Sequence, residues 1–448
     1  MNHSASKHSV RIVNPDGLMP RGISDFAKMV QQQRCFVDKS LLIQDIVHCD
    51  DDIILITRPR RFGKTMNMSM LQHFFAKQQE QEGGFALFTE LLIAQNEQAM
   101  QHSGKYPVIA LTFKDIKSAT WEEACKQLCR LIHRELERHL VMDQVDATCL
   151  LPSEQKELQR MLQNSAEPIE WKNSLQLLCK LLTLHYKQAP WLLLDEYDTP
   201  IHAAYVQSQK DQEEIQQKDS YYSQMIDFMR SLLGMALKGN DTYLHKAVIT
   251  GILRVAKEDI FSDLNNLGTY GVMDWRFDHC FGFTQAEVDA LFEKRSLSQH
   301  LSTAQQWYDG YIFGRQEIYN PWSIVSFISN LPQPAQEYWV NTGSSTLVGR
   351  LITAGSAADR QAVETLLLNN TVQRDVSDNL ALRELEGLGQ ALWSILLTSG
   401  YITAVDTQDA VVGKLATLCI PNHEVRKAFQ RLALQWFKEA PDNALPEI

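Results

Sequence analysis

A lysine and a threonine stand where a run of apolar residues gives way to a predicted helix. The run Ile53–Thr57 has the character of a buried strand, and Gly63, Lys64 and Thr65 follow at the start of the helix. In such a turn the backbone N–H groups face an anion, the lysine reaches terminal phosphates, and the threonine hydroxyl ligates Mg²⁺. Arg58 occupies the position of the first glycine in the usual Gly-x-x-x-x-Gly-Lys-Ser/Thr pattern. The residues therefore predict a phosphate-binding turn, with less specificity than the complete pattern has.

Two acidic residues end a second apolar run further along the chain. Asp195 and Glu196 follow Trp191–Leu194, and a buried parallel strand delivers such side chains to the sheet edge where α/β proteins bind ligands. We expect Asp195 to hold Mg²⁺, directly or through water, and Glu196 to polarise an attacking water. For the two acids alone, a solvated turn after a strand is the simpler interpretation. Their combination with Lys64 and Thr65 favours the hydrolytic one.

Two further charged residues have two interpretations each. Arg254 follows a predicted strand and can stabilise charge on a transferred phosphoryl group, a contribution worth about 10³–10⁵ in rate where arginine fingers make it. A salt bridge with Glu258, four residues along a helical path, explains Arg254 equally well. Asp198 either supports the neighbouring acids or caps the turn that follows it.

Composition describes an ordinary globular chain. Its 448 residues are 44% hydrophobic and 22% charged, which suggests two or three domains and no disordered class. The net charge of −11 argues against broad, charge-driven binding of nucleic acid. The eight cysteines include no Cys-x-x-Cys, and Cys125 and Cys129 lack further ligands nearby, so we expect reduced thiols. Because no long apolar segment occurs, we expect a cytoplasmic protein without a membrane partner.

The pattern of apolar residues predicts an α/β fold with a doubly wound, mostly parallel sheet, because strand-like runs alternate with helical ones. After about residue 284 the pattern becomes helical. The last hundred residues read as helix, hairpin and helix, which is compatible with a winged-helix-like module or with a plain helical cap. The predicted strands of the sheet are Ile53–Thr57, Pro107–Phe113, the run beginning at Trp191, His245–Leu253 and Phe277–Phe283.

Many separate motifs in this chain resemble those of the AAA-ATPase-like family of bacterial and archaeal P-loop proteins, whose members are often joined to a C-terminal PD-(D/E)XK nuclease. The resemblance runs from about Gly22 to Phe437. It rests on Phe36-Val37-Asp38-Lys39-Ser40, Arg58-Pro59-Arg60-Arg61-Phe62-Gly63-Lys64-Thr65, Leu194-Asp195-Glu196-Tyr197-Asp198, Thr250-Gly251-Ile252, Phe261-Ser262-Asp263-Leu264-Asn265-Asn266-Leu267, Phe281-Gly282-Phe283-Thr284, Trp307-Tyr308-Asp309-Gly310-Tyr311, Tyr319-Asn320-Pro321-Trp322-Ser323, Tyr338-Trp339-Val340-Asn341-Thr342-Gly343 and Ile420-Pro421-Asn422.

The resemblance implies a P-loop NTPase fold and ATP with Mg²⁺ as ligands, and it makes the missing first glycine an ordinary feature of this family's loop. It also supports Thr250, at the tip of a strand, as a group that senses the γ-phosphate. The candidate residues fall into three sets. They are Glu196, Lys64, Arg254 and Thr250 for catalysis; Arg61, Phe62, Gly63, Lys64 and Thr65 for the nucleotide; and Thr65 and Asp195 for the metal.

The expected organisation is a flexible N-terminus (1–22), a P-loop ATPase core (23–283), a helical lid (284–345) and a mainly α, winged-helix-like C-terminal module (346–448). The sequence ends soon after Ile420-Pro421-Asn422, so we expect no nuclease activity from it. A cluster of seven tyrosines and tryptophans between Trp307 and Trp339 has only Arg315 as an interleaved base. Core packing therefore explains this cluster better than base stacking does.

The function expected from these features is slow, Mg²⁺-dependent hydrolysis of ATP, coupled to the lid and the C-terminal module. One alternative is an interaction switch that binds ATP without appreciable turnover. Another is a DNA-processing component, suggested by the nuclease that is often joined to members of the family and by the winged-helix-like C-terminal segment. An unknown protein or nucleic-acid partner and a homo-oligomer are compatible with each of these.

Overall fold

The computed structural model describes residues 9–77, 85–211, 219–253, 260–261, 264, 266–339, 351, 355–377, 389–410 and 413–439. Its strands are β1 (Ile12–Val13), β2 (Phe36–Val37), β3 (Ile53–Thr57), β4 (Val108–Thr112), β5 (Trp191–Asp195), β6 (Lys246–Gly251), β7 (Leu267–Tyr270), β8 (Phe283–Thr284), β9 (Tyr311–Phe313), β10 (Gln316–Tyr319), β11 (Val372–Val376), β12 (Thr403–Asp409) and β13 (Lys414–Cys419). Its α-helices are α1 (Phe26–Gln31), α2 (Leu41–Val47), α3 (Lys64–Phe75), α4 (Glu97–Met100), α5 (Trp121–Glu137), α6 (Pro152–Leu162), α7 (Pro168–Tyr186), α8 (Thr199–Lys210), α9 (Tyr221–Leu237), α10 (Gln285–Lys294), α11 (Leu301–Tyr308), α12 (Pro321–Asn330), α13 (Ala357–Leu367), α14 (Gly389–Ser399) and α15 (His423–Glu439).

The central sheet has five parallel strands in the order β4-β5-β6-β3-β7. This arrangement confirms the predicted α/β fold with a parallel sheet. Strand β6 lies between β3, which precedes the Gly-Lys-Thr turn, and β5, which ends in Asp195. Because parallel strands end at the same edge, both motifs reach that edge with the end of β6 between them.

Both faces of this sheet are covered. Along β3, Ile53 and Leu55 join one apolar core while Ile54 and Ile56 join another. Alternate residues of a strand point to opposite faces, and every residue of β3 is buried. Helices α5, α7 and α9 contribute to the first core, and α1, α2 and α3 to the second. A continuous apolar strand is the sequence pattern that such two-sided burial requires.

The fifth strand differs from the prediction. It is β7, which pairs with β3 from Ile53↔Leu267 to Ile56↔Tyr270, whereas Phe277–Phe283 forms an irregular segment apart from β8. All four residues of β7 are only half-buried, as suits the edge of the sheet. The phenylalanines at 277 and 281 are buried by the packing of a loop, so their apolar character did not indicate a strand.

The remaining strands form small antiparallel sheets. Strands β8, β10 and β9 make one, which places a hairpin within the segment expected to be a helical lid, and β11, β13 and β12 make another near the C-terminus. The hairpin β12–β13 lies between α14 and α15, in the predicted order of helix, hairpin and helix. In the N-terminal segment, β1 pairs with β2. Among the described residues, no helix combines the length and the apolar character needed to cross a membrane.

Candidate functional site

The turn between β3 and α3 is anchored by an arginine that the sequence gives no reason to bury. Arg58 is fully buried and donates from Nη1 to the carbonyls of Thr57, Tyr270 and Gly271, at 2.8, 3.0 and 2.8 Å. Its Nη2 donates to the carbonyl of Phe277 at 3.0 Å. A glycine at this position would make none of these contacts. Arg58 thus ties the start of the turn to the edge strand β7 and to the loop that follows it.

Gly63 ends the turn with φ at +85°, a left-handed conformation that a side chain disfavours. It directly precedes α3, so the free N–H groups of the first helical turn face the end of the loop. The ammonium of Lys64 is buried and donates to the carbonyls of Arg58 and Pro59, each at 2.9 Å. Burial lowers the pKa of Lys64, and the nearby carboxylates, Glu196 first, oppose that change.

Asp195 is the point where the two motifs meet. Its Oδ2 accepts a hydrogen bond from the Thr65 hydroxyl at 2.7 Å, and its Oδ1 accepts one from Thr250 at 2.6 Å. The Thr112 hydroxyl lies 3.5 Å from Oδ2, because the register of β4 and β5 pairs Thr112 with Asp195. The structure therefore brings the predicted metal residues Thr65 and Asp195 together. Sequence reasoning missed Thr112, although its place at the end of a predicted strand was a usable signal.

Thr250 lies against the acids. Its hydroxyl oxygen also receives the backbone N–H of Glu196 at 3.4 Å, and the residue is fully buried. In this geometry Thr250 holds the carboxylate of Asp195 and the backbone of Glu196 in place. Contact with a γ-phosphate, the role expected from the sequence, stays a prediction.

Glu196 turns the chain at the end of β5. Its φ of +54° is uncommon for a residue with a side chain, and such strain occurs at functional sites more often than elsewhere. Its carboxylate receives the Thr199 hydroxyl at 3.3 Å, and the residue lines the same cavity as Lys64 and Thr65. The ammonium at 64 and the acids at 195 and 196 are therefore on the same side of the molecule.

Asp198 supports this turn. Its Oδ2 accepts the backbone N–H groups of Ile252 and Leu253 at 2.9 and 2.8 Å. Burial raises the pKa of its carboxyl, and the two backbone donors oppose that change. These contacts tie the turn after β5 to the segment after β6. The structure thus favours a positioning role over the turn cap considered from sequence.

A cavity of about 330 Å³ opens beside the turn. Its polar end contains Gly63, Lys64, Thr65 and Glu196, and its remaining wall is largely apolar. This volume and this mixture of a few polar groups with apolar walls are usual for small-molecule sites. The apolar wall comes from the N-terminal segment, α1, α3 and the start of α12, and includes Met19, Ile23, Phe26, Met70, Trp322 and Val325.

Comparison with known proteins decides the family. Residues 20–261, more than half of the chain, match the AAA-ATPase-like family, described as "Predicted AAA-ATPase". This chain belongs to that family. The resemblance found in the sequence is thereby confirmed, and membership supports ATP binding and a possible ATPase activity. The chain is also similar to an "Uncharacterized protein in vnfD 5'region" of Azotobacter chroococcum mcd 1, with 22% identity over 428 residues, covering 95% of this chain and 72% of that protein.

Two loop residues of this AAA-ATPase-like protein contact segments outside the turn. The Phe62 ring is fully buried against Tyr311 and Phe313, with centroids 4.9 and 5.0 Å apart. Arg61 donates to the carbonyl of Tyr338 at 2.6 Å and lies 4.5 Å above the ring of Trp322. Binding of a nucleotide by either residue stays a prediction.

Arg254 and Glu258 lie outside the described residues, so the two interpretations of Arg254 stay open. Part of the aromatic cluster is packed as expected, since Tyr308, Tyr311 and Tyr319 are at most 1% exposed, whereas Trp307, Trp322 and Tyr338 are half-buried. Tyr311 and Tyr308 make ring contacts with Phe313 and Phe327 respectively. These tyrosines present no stacking surface for nucleic-acid bases.

Proposed function

We propose that this protein binds Mg²⁺–ATP at residues 58–65, here called the phosphate turn, and hydrolyses it slowly. The nucleotide state would be coupled to the segments 284–345 and 346–448. The hydrogen bond between the Thr65 hydroxyl and the Asp195 carboxylate carries this proposal. It joins the end of the phosphate turn to the acidic strand, as a shared metal and triphosphate require.

The donor set suits Mg²⁺. Thr65 and Asp195 offer a hydroxyl and a carboxylate oxygen 2.7 Å apart, and hard cations prefer oxygen ligands, with water filling the other positions. When bound, the metal would neutralise charge on the β- and γ-phosphates. Thr250 would keep the second oxygen of Asp195 engaged, so that Oδ2 faces Thr65.

The chain's own groups supply the remaining steps. The Lys64 ammonium would move from the carbonyls of Arg58 and Pro59 to the terminal phosphates, since a phosphate oxygen is a stronger acceptor than a carbonyl. The N–H groups at the start of α3 would receive phosphate oxygens. Glu196, on its turned backbone, would orient a water and accept its proton.

Arg61 would couple the phosphate turn to helix α15. Its guanidinium contacts the carbonyl of Tyr338, and the backbone N–H groups of Tyr338 and Trp339 donate to the buried Glu424 at the start of α15. One residue of the phosphate turn is thus two hydrogen bonds from the last described helix. A shift of the turn on binding nucleotide would therefore displace the contacts of Tyr338 and Trp339 with Glu424.

The test is nucleotide binding by calorimetry and phosphate release by the wild type, Lys64→Ala and Glu196→Gln. We expect Lys64→Ala to lose ATP binding, and Glu196→Gln to bind ATP while hydrolysis falls by about 10²–10⁴, the usual worth of a general base. The control is Lys28→Ala. Lys28 is an exposed lysine on α1, and the opposite face of this helix lines the cavity.

Two outcomes contradict the proposal. If the wild type binds ATP but releases no phosphate, and Glu196→Gln binds with equal affinity, the protein is an ATP-binding switch. If the wild type shows no binding heat with any nucleoside triphosphate, the site is not a nucleotide site.

A further inference from the structure

Three side chains with metal-binding atoms, none of them assigned to the proposed ATP site, meet beside α2. Asp45 comes from α2, and His279 and Cys280 come from the loop between β7 and β8. Cys280 is 3% exposed, while Asp45 and His279 are partly open to solvent. More than 230 positions separate Asp45 from His279 and Cys280, so no short sequence motif indicates this group of residues.

The three ligand atoms form a nearly equilateral triangle. Asp45 Oδ2 lies 3.3 Å from Cys280 Sγ and 3.7 Å from His279 Nε2, and Sγ lies 3.7 Å from Nε2. In a tetrahedral zinc site, bonds of about 2.0–2.3 Å separate neighbouring O, N and S ligands by about 3.3–3.6 Å. The observed triangle therefore matches one face of such a tetrahedron within a few tenths of an ångström.

The surroundings of His279 strengthen this match. Its other ring nitrogen, Nδ1, lies 3.3 Å from the carboxylate of Asp278, which is itself buried and accepts the backbone N–H of Arg315 at 3.2 Å. A carboxylate that holds the second nitrogen of a histidine fixes the tautomer in which Nε2 carries the lone pair that binds a metal, and this is the usual outer shell of a metal-bound histidine. The backbone is also held, because Lys39 Nζ donates to the carbonyl of His279 at 2.7 Å.

We propose that Asp45, His279 and Cys280 bind one divalent transition metal of the Zn²⁺ class, with water as the fourth ligand. Thiolate, imidazole and carboxylate together select zinc-like metals over Mg²⁺ or Ca²⁺. The thiol releases its proton as the metal–sulfur bond forms, so binding weakens as the pH falls. The inference does not depend on ATP binding.

The position of the site gives the metal a structural consequence. Cys280 lines the cavity beside the phosphate turn, and its carbonyl accepts Asn67 Nδ2 of α3 at 3.1 Å. The same loop supplies the Phe277 carbonyl that holds Arg58. A metal would cross-link α2 to this loop and stabilise the folded state through ligand binding.

The test uses the full chain, stripped of metal with a chelator and titrated with Zn²⁺ against a chromophoric chelator, and separately with Co²⁺. We expect one equivalent to bind, a higher Tm with Zn²⁺, and a thiolate-to-Co²⁺ charge-transfer band with tetrahedral d–d absorption. Cys280→Ser should abolish the charge-transfer band, and His279→Gln should weaken Zn²⁺ binding at least about 100-fold, beyond the cost of losing an outer-shell partner. Asp278→Asn should weaken it about 10–100-fold.

The matched control is Cys35→Ser, a second buried cysteine that lines the same cavity and should bind metal as the wild type does. Near-ultraviolet circular dichroism establishes that each variant is folded, and His279→Gln replaces Cys280→Ser if the latter is not. Absence of an equivalent of bound Zn²⁺ in the wild type, or equal binding by His279→Gln, would overturn the proposal. The triad would then be a hydrogen-bonded cluster in which the thiol donates to Asp45.

Discussion

Glu424→Gln should make the protein more stable above neutral pH and should leave it unchanged in acid. Glu424, in the first turn of α15, is 1% exposed. Burial raises the pKa of its carboxyl to about 7, against the opposing effect of hydrogen bonds from the Ser323 hydroxyl and the backbone of Tyr338 and Trp339. Glutamine reproduces the protonated acid in shape, with one oxygen for the two backbone donors and an N–H₂ group for Ser323.

The sign follows from proton binding. Between pH 4.5, the ordinary value, and pH 7, the folded protein keeps a proton at Glu424 that the unfolded chain has lost. The contribution of Glu424 to the free energy of unfolding is therefore highest below pH 4.5. It declines as the pH rises to about 7 and is constant above that pH. At about 1.4 kcal/mol for each pH unit, the difference between the two pKa values corresponds to about 3–4 kcal/mol. Arg61 favours the ionised carboxylate of Glu424 and Glu337 disfavours it, and the uncharged glutamine loses both interactions.

The measurement is urea-induced unfolding of both proteins at intervals from pH 5 to pH 8. We expect the variant's advantage in free energy of unfolding to grow across this range and to level off above pH 7. Glu293→Gln, which removes an exposed glutamate on α10, should show no such growth. A difference that stays constant with pH, or a variant that is less stable at pH 8, would refute burial of a protonated Glu424.

Two further substitutions test the phosphate turn. Gly63→Ala should lower stability by about 1–2 kcal/mol, because the left-handed backbone disfavours a side chain although no atom lies within 4 Å of the added methyl group. In the control, Gly234→Ala within α9 should raise it by about 0.5–1 kcal/mol; equal effects of the two on Tm would contradict this reasoning. Arg58→Lys should lower the free energy of unfolding by about 1–3 kcal/mol, since a single ammonium cannot reach all the carbonyls that the guanidinium holds. An unchanged urea midpoint would show that these bonds contribute nothing.

The parts of the structure that were predictable from sequence are local ones. β3 matched the prediction residue for residue, and β4, β5 and β6 lie within predicted segments, because strands buried on both faces must be continuously apolar. Helix caps are local as well, because the residues that form them are close in the sequence: Thr284 and Glu287 form a capping box, and Asn320 caps α12. Strand β7 was not predicted, because a half-buried strand at the edge of a sheet does not need a continuous run of apolar residues.

The site was only partly predictable, because its second layer is assembled from distant segments. Lys64 and Asp195 are recognisable from motifs, whereas three of the four carbonyls that accept from the Arg58 guanidinium lie 212 to 219 positions away in the sequence. An arginine in a glycine-type position suggests a solvated or phosphate-facing side chain. Its burial follows from carbonyls that only the folded chain places around it. The triad of Asp45, His279 and Cys280 is hidden for the same reason.

These contacts make the phosphate turn a joint between three parts of the molecule. Arg58 holds its start to β7 and the loop after it, Arg61 holds its middle to Tyr338, and Gly63 sets its end at α3. Lys64 donates to the carbonyl of Arg58 itself. In the proposed mechanism, movement of that ammonium to a phosphate would therefore alter the hydrogen bonding of the residue that anchors the turn. The change would be transmitted through Arg58 and Arg61 to the segments that they contact. A glycine at position 58 would leave only one of these two connections, that of Arg61 with Tyr338.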